Sequence, residues 1–460
     1  MPTITRKRLI IAAITGLGAL GVAQGLFTAG CDAELGADDG GDVDGSGGGG
    51  ESGQAQEEQL TLQERLLKCE ESKPSKCPGE DDSGLKRHEG LTDAAICQFK
   101  LVDQDFWGSK GGVVDDLGKE LELVDAAGIL KDLDKKGKKI EETHDEMARL
   151  EVMYPAFGWD SFDHGDKAWR PQGVSGSTDA SDDELIAGRK VMAVSWYHLP
   201  ENTDRPSVDK GSRISFVDIT DLPSGDISYT HALLVDPYDN NGTPDFRPVR
   251  LHVGGVAWVG KYIYAVDTMK GLRLFDTSRM IKMNSTADEA GRDSKTGEYR
   301  AYGHRYAIPQ VGAYLLTDDS CWHRFSFIAL DKTSDPPALV TGEFHSSDIA
   351  GKLLRWDLDG ELPALTDRDA KIIQPSSAYY SQESDMQGGI SIKGEWYLSS
   401  SGQDGNWGLL YRTGPTQKSE SYGWVIGPED LMYSNKDKAL WSASEFAGRR
   451  YVFSVDIGKY

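Results

Sequence analysis

Residues 252–276, HVGGVAWVGKYIYAVDTMKGLRLFD, decide the fold, because a degenerate copy returns at 386–412, MQGGISIKGEWYLSSSGQDGNWGLLYR. From Gly254 to Asp267 and from Gly388 to Ser401 the two align without a gap. They share a Gly-Gly pair, a β-branched residue after it, a later glycine (Gly260, Gly394) and an aromatic two residues on (Tyr262, Trp396). That pattern is strand, tight turn, strand. A third copy, EDLMYSNKDKALWSASEFAGRRYVF at 429–453, keeps the frame with a two-residue insertion in its turn, and Gly448-Arg449-Arg450 matches Gly271-Leu272-Arg273. Short strands at recurrent spacing are the sequence mark of a propeller blade.

Working outward, inner strands are expected at Pro171–Ser175, His252–Val259, Phe325–Asp331, Gln387–Ile392 and Glu429–Tyr433, each followed by a second strand. The expected fold is therefore an all-β propeller over 154–460, with five blades favoured. A sixth blade would need one of the polar insertions at 176–188, 199–210 or 282–303 to hide a sheet. The last repeat stops near Asp456 with no room for an outer strand. That strand is expected from residues 154–164, which would close the ring and remove a free sheet edge.

The chain begins as an exported one. Arg6, Lys7 and Arg8 precede an uncharged run from Leu9 to Phe27, and Thr28-Ala29-Gly30-Cys31 places small residues before a cysteine. The tetrapeptide resembles a bacterial lipobox, although Thr28 stands where a Leu is usual. The resemblance implies a signal peptide over 1–30 and lipidation of Cys31, hence a membrane partner through that lipid and a cell-envelope address facing periplasm or exterior. Residues 31–58 follow as an acidic, Gly-rich tether with nothing to bury.

Residues 59–153 read as a small α-helical region. Thr61 and Glu64 form a capping box, Val113, Leu117, Leu121 and Val124 share one face, and Leu133, Ile140, His144, Met147 and Leu150 repeat an apolar stripe. Lys135 to Lys139 reads as a solvated helix junction. Besides Cys31, the cysteines are Cys69, Cys77, Cys97 and Cys321, an even number in an exported chain, so disulfides are expected. Of three connectivities, the short polar loop CEESKPSKC favours Cys69 with Cys77, leaving Cys97 for Cys321.

HVGGVAW with YAVDTMKGLRLFD, Ala307-Ile308-Pro309-Gln310-Val311, Gln387-Gly388-Gly389 and Gly427-Pro428-Glu429-Asp430-Leu431 resemble the recurring motifs of a group of uncharacterised secreted bacterial proteins with propeller-type repeats. The resemblance covers roughly 169–457 and assigns no catalytic residue.

Chemistry is expected where the inner strands begin, since their first residues converge at one mouth of a central channel. Those positions carry Gln172, His252, Arg324, Gln387, Glu429 and Asp430. A second ring, Asp267, Glu343 and Glu445, stands at the ends of second strands. Such a set lines a structural channel by satisfying its own polar groups, or binds a ligand, or acts as an acid/base pair. A net charge of -24 without a basic stripe excludes nucleic acid as a partner. No GxSxG, HExxH or Walker loop occurs, and no cysteine or histidine cluster has zinc spacing. No cofactor is expected; the alternative is a divalent cation such as calcium, for which the loop Asp236–Asp245 offers carboxylates. There Pro237 and Pro248 occupy positions where an EF-hand needs acids, and a β-turn at Asn241-Gly242 explains the loop. Two function classes follow: a lipid-anchored module binding a glycan, peptide or envelope protein, or an extracytoplasmic hydrolase or lyase with carboxylates at the mouth.

Overall fold

The computed structural model describes Cys77 and residues 84–96, 99–141, 144–151, 153–154, 156–402 and 406–460. The export segment, Cys31, the tether, the capping box at Thr61 and Glu64, Cys69 and Cys97 lie outside the described residues. Among those described, no helix is long and apolar enough to cross a membrane.

The fold is mostly β. Trp169–Gly176, Val191–His198, Ser212–Asp221 and Asp226–Asp239 form a first antiparallel sheet. A second follows from Val256–Val259, Tyr262–Asp267, Gly271–Asp276 and the long strand Tyr306–Leu316. The start of Tyr306–Leu316 also runs parallel to Asp226–Asp239, pairing Ala232 with Tyr306 through Val235 with Pro309, so the first two sheets are continuous at their outer edges. Phe327–Asp331, Ala338–Gly342, Lys352–Asp359 and Ser377–Tyr380 make the third sheet. Met386–Ile392, Glu395–Ser400, Trp407–Gly414 and Gln417–Ile426 make the fourth. In the fifth, Pro428–Ser434, Ala439–Ser444 and Tyr451–Asp456 take Ala156–Gly158 as their fourth strand, Tyr451 opposite Gly158, so the end of the chain is closed by a segment from the expected 154–164 window. The insertion at 282–303 holds one short hairpin, Ala290–Arg292 with Tyr299–Ala301, and the other two insertions hold single turns of helix.

The leading strands of the five sheets pack on one another in a closed circuit: Trp169–Gly176, Val256–Val259, Phe327–Asp331, Met386–Ile392, Pro428–Ser434 and back to the first. Backbone approach there is close enough to exclude side chains. A Cβ on Gly255 would lie 2.2 Å from the Ile328 nitrogen, and one on Gly388 would lie 2.7 Å from Asp430 Cα. The Gly-Gly pairs that mark the repeats are thus the positions where a neighbouring strand presses on the backbone. Between adjacent sheets lie apolar wedges, such as Val194, Trp196, Trp441 and Val452 between the first and fifth, and Tyr264, Val266, Leu330 and Trp356 between the second and third. Each fully buried large side chain contributes about 1.5–3 kcal/mol relative to exposure.

The region expected to be helical departs from that expectation. One long helix, Phe106–Glu120, forms, and its buried Leu117 packs on Leu233, Val235 and Ile281 of the joined sheets. Leu121 only caps it, and Val124 lies in the short strand Leu123–Val124. Beyond it the apolar stripe, among the described residues, forms no α-helix and keeps only one 3-10 turn, Asp145–Met147. Lys135–Lys136 pairs with Ser228 and Tyr229, and Lys138–Ile140 pairs with Ala156–Gly158. Nearer the start, Thr92–Asp93 and Leu101–Asp103 add to the third and second sheets. Open sheet edges offer alternate residues of an added strand ladder hydrogen bonds, and this outweighs helix propensities that differ by only tenths of a kcal/mol.

The disulfide expectation is corrected as well. Cys321 bonds Cys77, with Cα atoms 5.4 Å apart, which excludes the Cys69–Cys77 and Cys97–Cys321 pairs. A short polar loop between two cysteines is compatible with a bridge but does not require one, and Cys321 is buried where the N-terminal segment crosses the second sheet. The loop around Asn241 and Gly242 is the hairpin turn joining Asp226–Asp239 to Pro244–Pro248, and Asp236 is engaged by Lys110 and Arg247.

Candidate functional site

The leading strands bring part of the expected set together and scatter the rest. Gln172 and Glu429 are buried on adjacent leading strands, and Glu445 follows the second strand of the fifth sheet. The Gln172 amide donates to Glu445 Oε2 at 3.4 Å and lies close enough to Glu429 to oppose the rise of its carboxyl. Arg170 Nη1 reaches Glu445 at 3.3 Å and places positive charge against Glu429. Burial pushes both glutamate carboxyls above their usual range. Mutual repulsion adds to this at Glu429, whereas Arg170 and then Arg450 oppose it at Glu445. Within this buried group, Glu429 Oε1 and Arg170 Nε have no hydrogen-bond partner among the described residues.

His252 and Arg324 border this pair. His252 is half-buried, and its ring lies 4.3 Å from Tyr197, whose hydroxyl also hydrogen-bonds Arg170. Burial, then the charges of Arg170 and Arg324, depress the imidazole to about 4, so it is neutral at neutral pH. The next residue, Val253, is fully buried and has φ 52°. A β-branched side chain in the left-handed region costs on the order of 1–3 kcal/mol, and such strain concentrates where geometry serves a site. Arg324 lies with its guanidinium 5.8 Å from the Phe344 ring centre, and no carboxylate pairs with that guanidinium among the described residues. Gln387 is half-buried at the start of Met386–Ile392, next to the Gly388 backbone that presses on the Glu429 carbonyl.

Three expected members act structurally. Asp430 Oδ2 accepts the Val256 N–H at 3.2 Å and further backbone N–H groups from Leu431 and Val174, so it ties three leading strands together. Asp267 takes Arg273 at 2.7 Å within the second sheet. Glu343 accepts from the Arg324 and Lys352 backbone N–H groups at 2.8 and 2.9 Å and pairs with Lys352 Nζ at 3.0 Å. Burial favours its neutral form, but His345, His323 and Lys352 prevail and hold the carboxyl well below the usual range. The second ring is therefore a recurring clamp from the end of a second strand to a cation on the third, not a ring around a pocket. Only Glu445 joins Gln172 and Glu429, although the Arg450 Nε–H donates to its carbonyl at 2.7 Å in the same recurring position.

Sequence reasoning missed Arg170, Tyr197, Arg450 and the whole hub around Asp163. Arg450 was within reach, because the alignment of Gly448-Arg449-Arg450 with Gly271-Leu272-Arg273 matches it to Arg273. In the hub, Asp163 Oδ1 accepts Arg213 at 2.9 Å, and Oδ2 accepts Lys135 at 2.8 Å, Tyr229 at 2.7 Å and His231 at 3.0 Å. Burial raises the Asp163 carboxyl, but His231 and Arg213 outweigh it and hold it far below the usual range. Lys135, read as part of a solvated junction, is a member of this hub. His231 Nδ1 meets Ser215 Oγ at 2.8 Å, completing a Ser-His-Asp line. Ser215 is fully buried and receives Trp196 Nε1–H at 2.7 Å, so no substrate reaches it and the line is structural.

Among the described residues no group of three or more His, Cys, Asp or Glu side chains has the geometry to hold a metal ion. Trp407 is covered by Arg149 at 4.9 Å, and Tyr422 packs on Tyr460 at 5.3 Å, so neither is a free stacking platform.

No family model and no curated protein matches the chain. Among solved structures, one titled "Structure of RS223-Beta-xylosidase" is similar with a TM-score of 0.30 and 10% identity, over 63% of this chain and 92% of that one. So distant a likeness carries no argument about this chain.

Proposed function

We propose that this chain is a lipid-anchored, extracytoplasmic five-bladed β-propeller whose channel mouth binds a ligand. The closed circuit of five leading strands supports the blade count. Beyond the described residues, the uncharged run Leu9–Phe27 and the small residues before Cys31 support export and anchoring. The Gly-Gly motifs support kinship with the secreted propeller-type group they resemble.

The observation that carries the binding role is the furnishing of the mouth. A strained Val253 follows His252, which feels the charges of Arg170 and Arg324, and Arg170 in turn faces a buried Glu429 whose Oε1 is left without a partner among the described residues. Strain and unsatisfied polar atoms cost stability, and sites that bind a ligand are where folds concentrate them. A thermal-shift panel of envelope glycans and peptides on wild type and His252→Ala tests this. A compound that raises the wild-type Tm but not the variant's supports the reading; one that raises both equally binds elsewhere. Metabolic labelling with a fatty-acid analogue tests the anchor, and unchanged labelling of Cys31→Ser removes it.

A second reading, hydrolysis, is favoured by one observation, the raised carboxyls of Glu429 and Glu445 sharing Gln172 and Arg170. It requires turnover of aryl glycosides by wild type and none by Glu429→Gln. Burial of both carboxylates weighs against that chemistry.

A further inference from the structure

We infer that the ligand of the channel mouth is a sugar acid, with Arg324 and Arg170 taking its carboxylate and the half-buried His252 and Gln387 taking its hydroxyls. The inference rests on the mouth being the ligand site.

Arg324 is the first reason. The chain carries 74 acidic against 50 basic residues, so carboxylates are in excess. Arg355, Arg273, Arg279 and Arg213 each hold one at 2.7 to 2.9 Å. Arg324 is half-buried yet pairs with none among the described residues; Glu343 takes its backbone N–H instead, and its guanidinium lies over Phe344. A planar fork of donors supported on an aromatic face is suited to a bidentate carboxylate from outside. Arg170 adds a second cation. Its side chain is 30% exposed, its ion pair to Glu445 is long at 3.3 Å, and its Nε is unpartnered among the described residues.

The second reason is what surrounds the cations. His252 and Gln387 are both half-buried, and neither side chain makes a hydrogen bond among the described residues. A bare anion such as phosphate would engage the arginines and leave these groups unpaired. A carboxylate carried on a polyhydroxy ring engages both sets, because each hydroxyl donates and accepts. Half-buried Phe344 and Phe446 flank the region with apolar surface against which a sugar ring packs.

The test is calorimetric titration of the full chain with galacturonate, galactose and inorganic phosphate, on wild type, Arg324→Leu, Arg324→Lys and His252→Ala. Circular-dichroism melts check that each variant is folded; the Arg324 backbone bond to Glu343 survives either Arg324 substitution. Galacturonate is expected to bind about tenfold or more tighter than galactose or phosphate, with the advantage lost in Arg324→Leu and partly restored in Arg324→Lys. Equal binding of galactose and galacturonate, both weakened by His252→Ala, would overturn the sugar-acid assignment and leave the mouth as a ligand site. Phosphate as tight as galacturonate would reduce the site to a generic anion site and overturn the assignment too. Failure of every probe to bind wild type, or titrations unchanged in both Arg324→Leu and His252→Ala, rejects the inference, while the thermal-shift panel decides the mouth separately.

Discussion

Asp163 and Glu429 are both fully buried carboxylates, and they are furnished in opposite ways. Around Asp163 every oxygen is used: Arg213, Lys135, Tyr229 and His231 all reach it, and the Arg450 Nη1–H donates to its carbonyl at 2.8 Å. Around Glu429 one oxygen is unpartnered, a second carboxylate stands nearby, and Arg170 is shared between the two. Burial costs a carboxylate its hydration in both places. In the hub cations and hydrogen bonds offset that cost and the acid stays ionised; at the mouth they do not, and the acid is driven toward its neutral form. A buried charge that closes its own network stabilises the fold.

The largest effect expected from breaking this contrast is at the hub. Asp163→Ala strands Arg213 and Lys135 in a buried site, a class of change that costs about 3–5 kcal/mol. Urea unfolding measures it, and a loss below about 1 kcal/mol would mean the hub does not carry the fold. The sign with pH is fixed by the depressed Asp163 carboxyl. Its contribution is present above the unfolded-state value and is lost as pH falls through the folded one, so Asp163→Ala should flatten the acid limb of the wild-type stability curve.

An intermediate effect of opposite sign is expected at Asp179. Burial pushes this carboxyl up to about 7, against hydrogen bonding from Ser175 Oγ at 2.6 Å. A raised folded value means the contribution is fully present below the unfolded-state value and is lost as pH rises through about 7. Asp179→Asn keeps the shape and removes the titration. It should therefore be more stable than wild type at pH 8, by on the order of 1–3 kcal/mol, and equal to it near pH 4. Identical pH profiles for the two proteins would show that Asp179 does not titrate in this way.

The same contrast explains what the sequence reveals and what it hides. The repeat between Gly254 and Asp267 gives the second and fourth sheets because Gly-Gly, turn glycine and aromatic are each required locally, by backbone contact, turn geometry and wedge packing. Closure by Ala156–Gly158 is legible too, since a last repeat without a fourth strand needs one. The edge strands at Lys135–Lys136 and Lys138–Ile140 are not legible. Their local pattern is helical, and only the free edges of distant sheets make them strands. At the mouth, Gln172, His252, Arg324, Gln387 and Glu429 follow from register alone, but Arg170 and Tyr197 do not, because their roles depend on which face of the first sheet turns inward. Asp267 and Glu343 mislead for the same reason: register places them at strand ends without revealing the Arg273 and Lys352 that neutralise them.

The smallest effects are expected at the mouth, where they carry most weight. Glu429→Gln replaces an acid driven neutral with a neutral isostere, and His252→Ala removes a half-buried ring without a hydrogen-bond partner among the described residues. The measurement that tests the account most directly is denaturant unfolding of both variants at neutral pH beside Asp163→Ala. The account predicts that each mouth variant lies within about 1 kcal/mol of wild type, or above it for Glu429→Gln, while Asp163→Ala loses about 3–5 kcal/mol. Losses of about 3 kcal/mol or more in both mouth variants would contradict it, because the mouth would then be a structural lining like the hub, and the functional site would have to lie on the inserted loops.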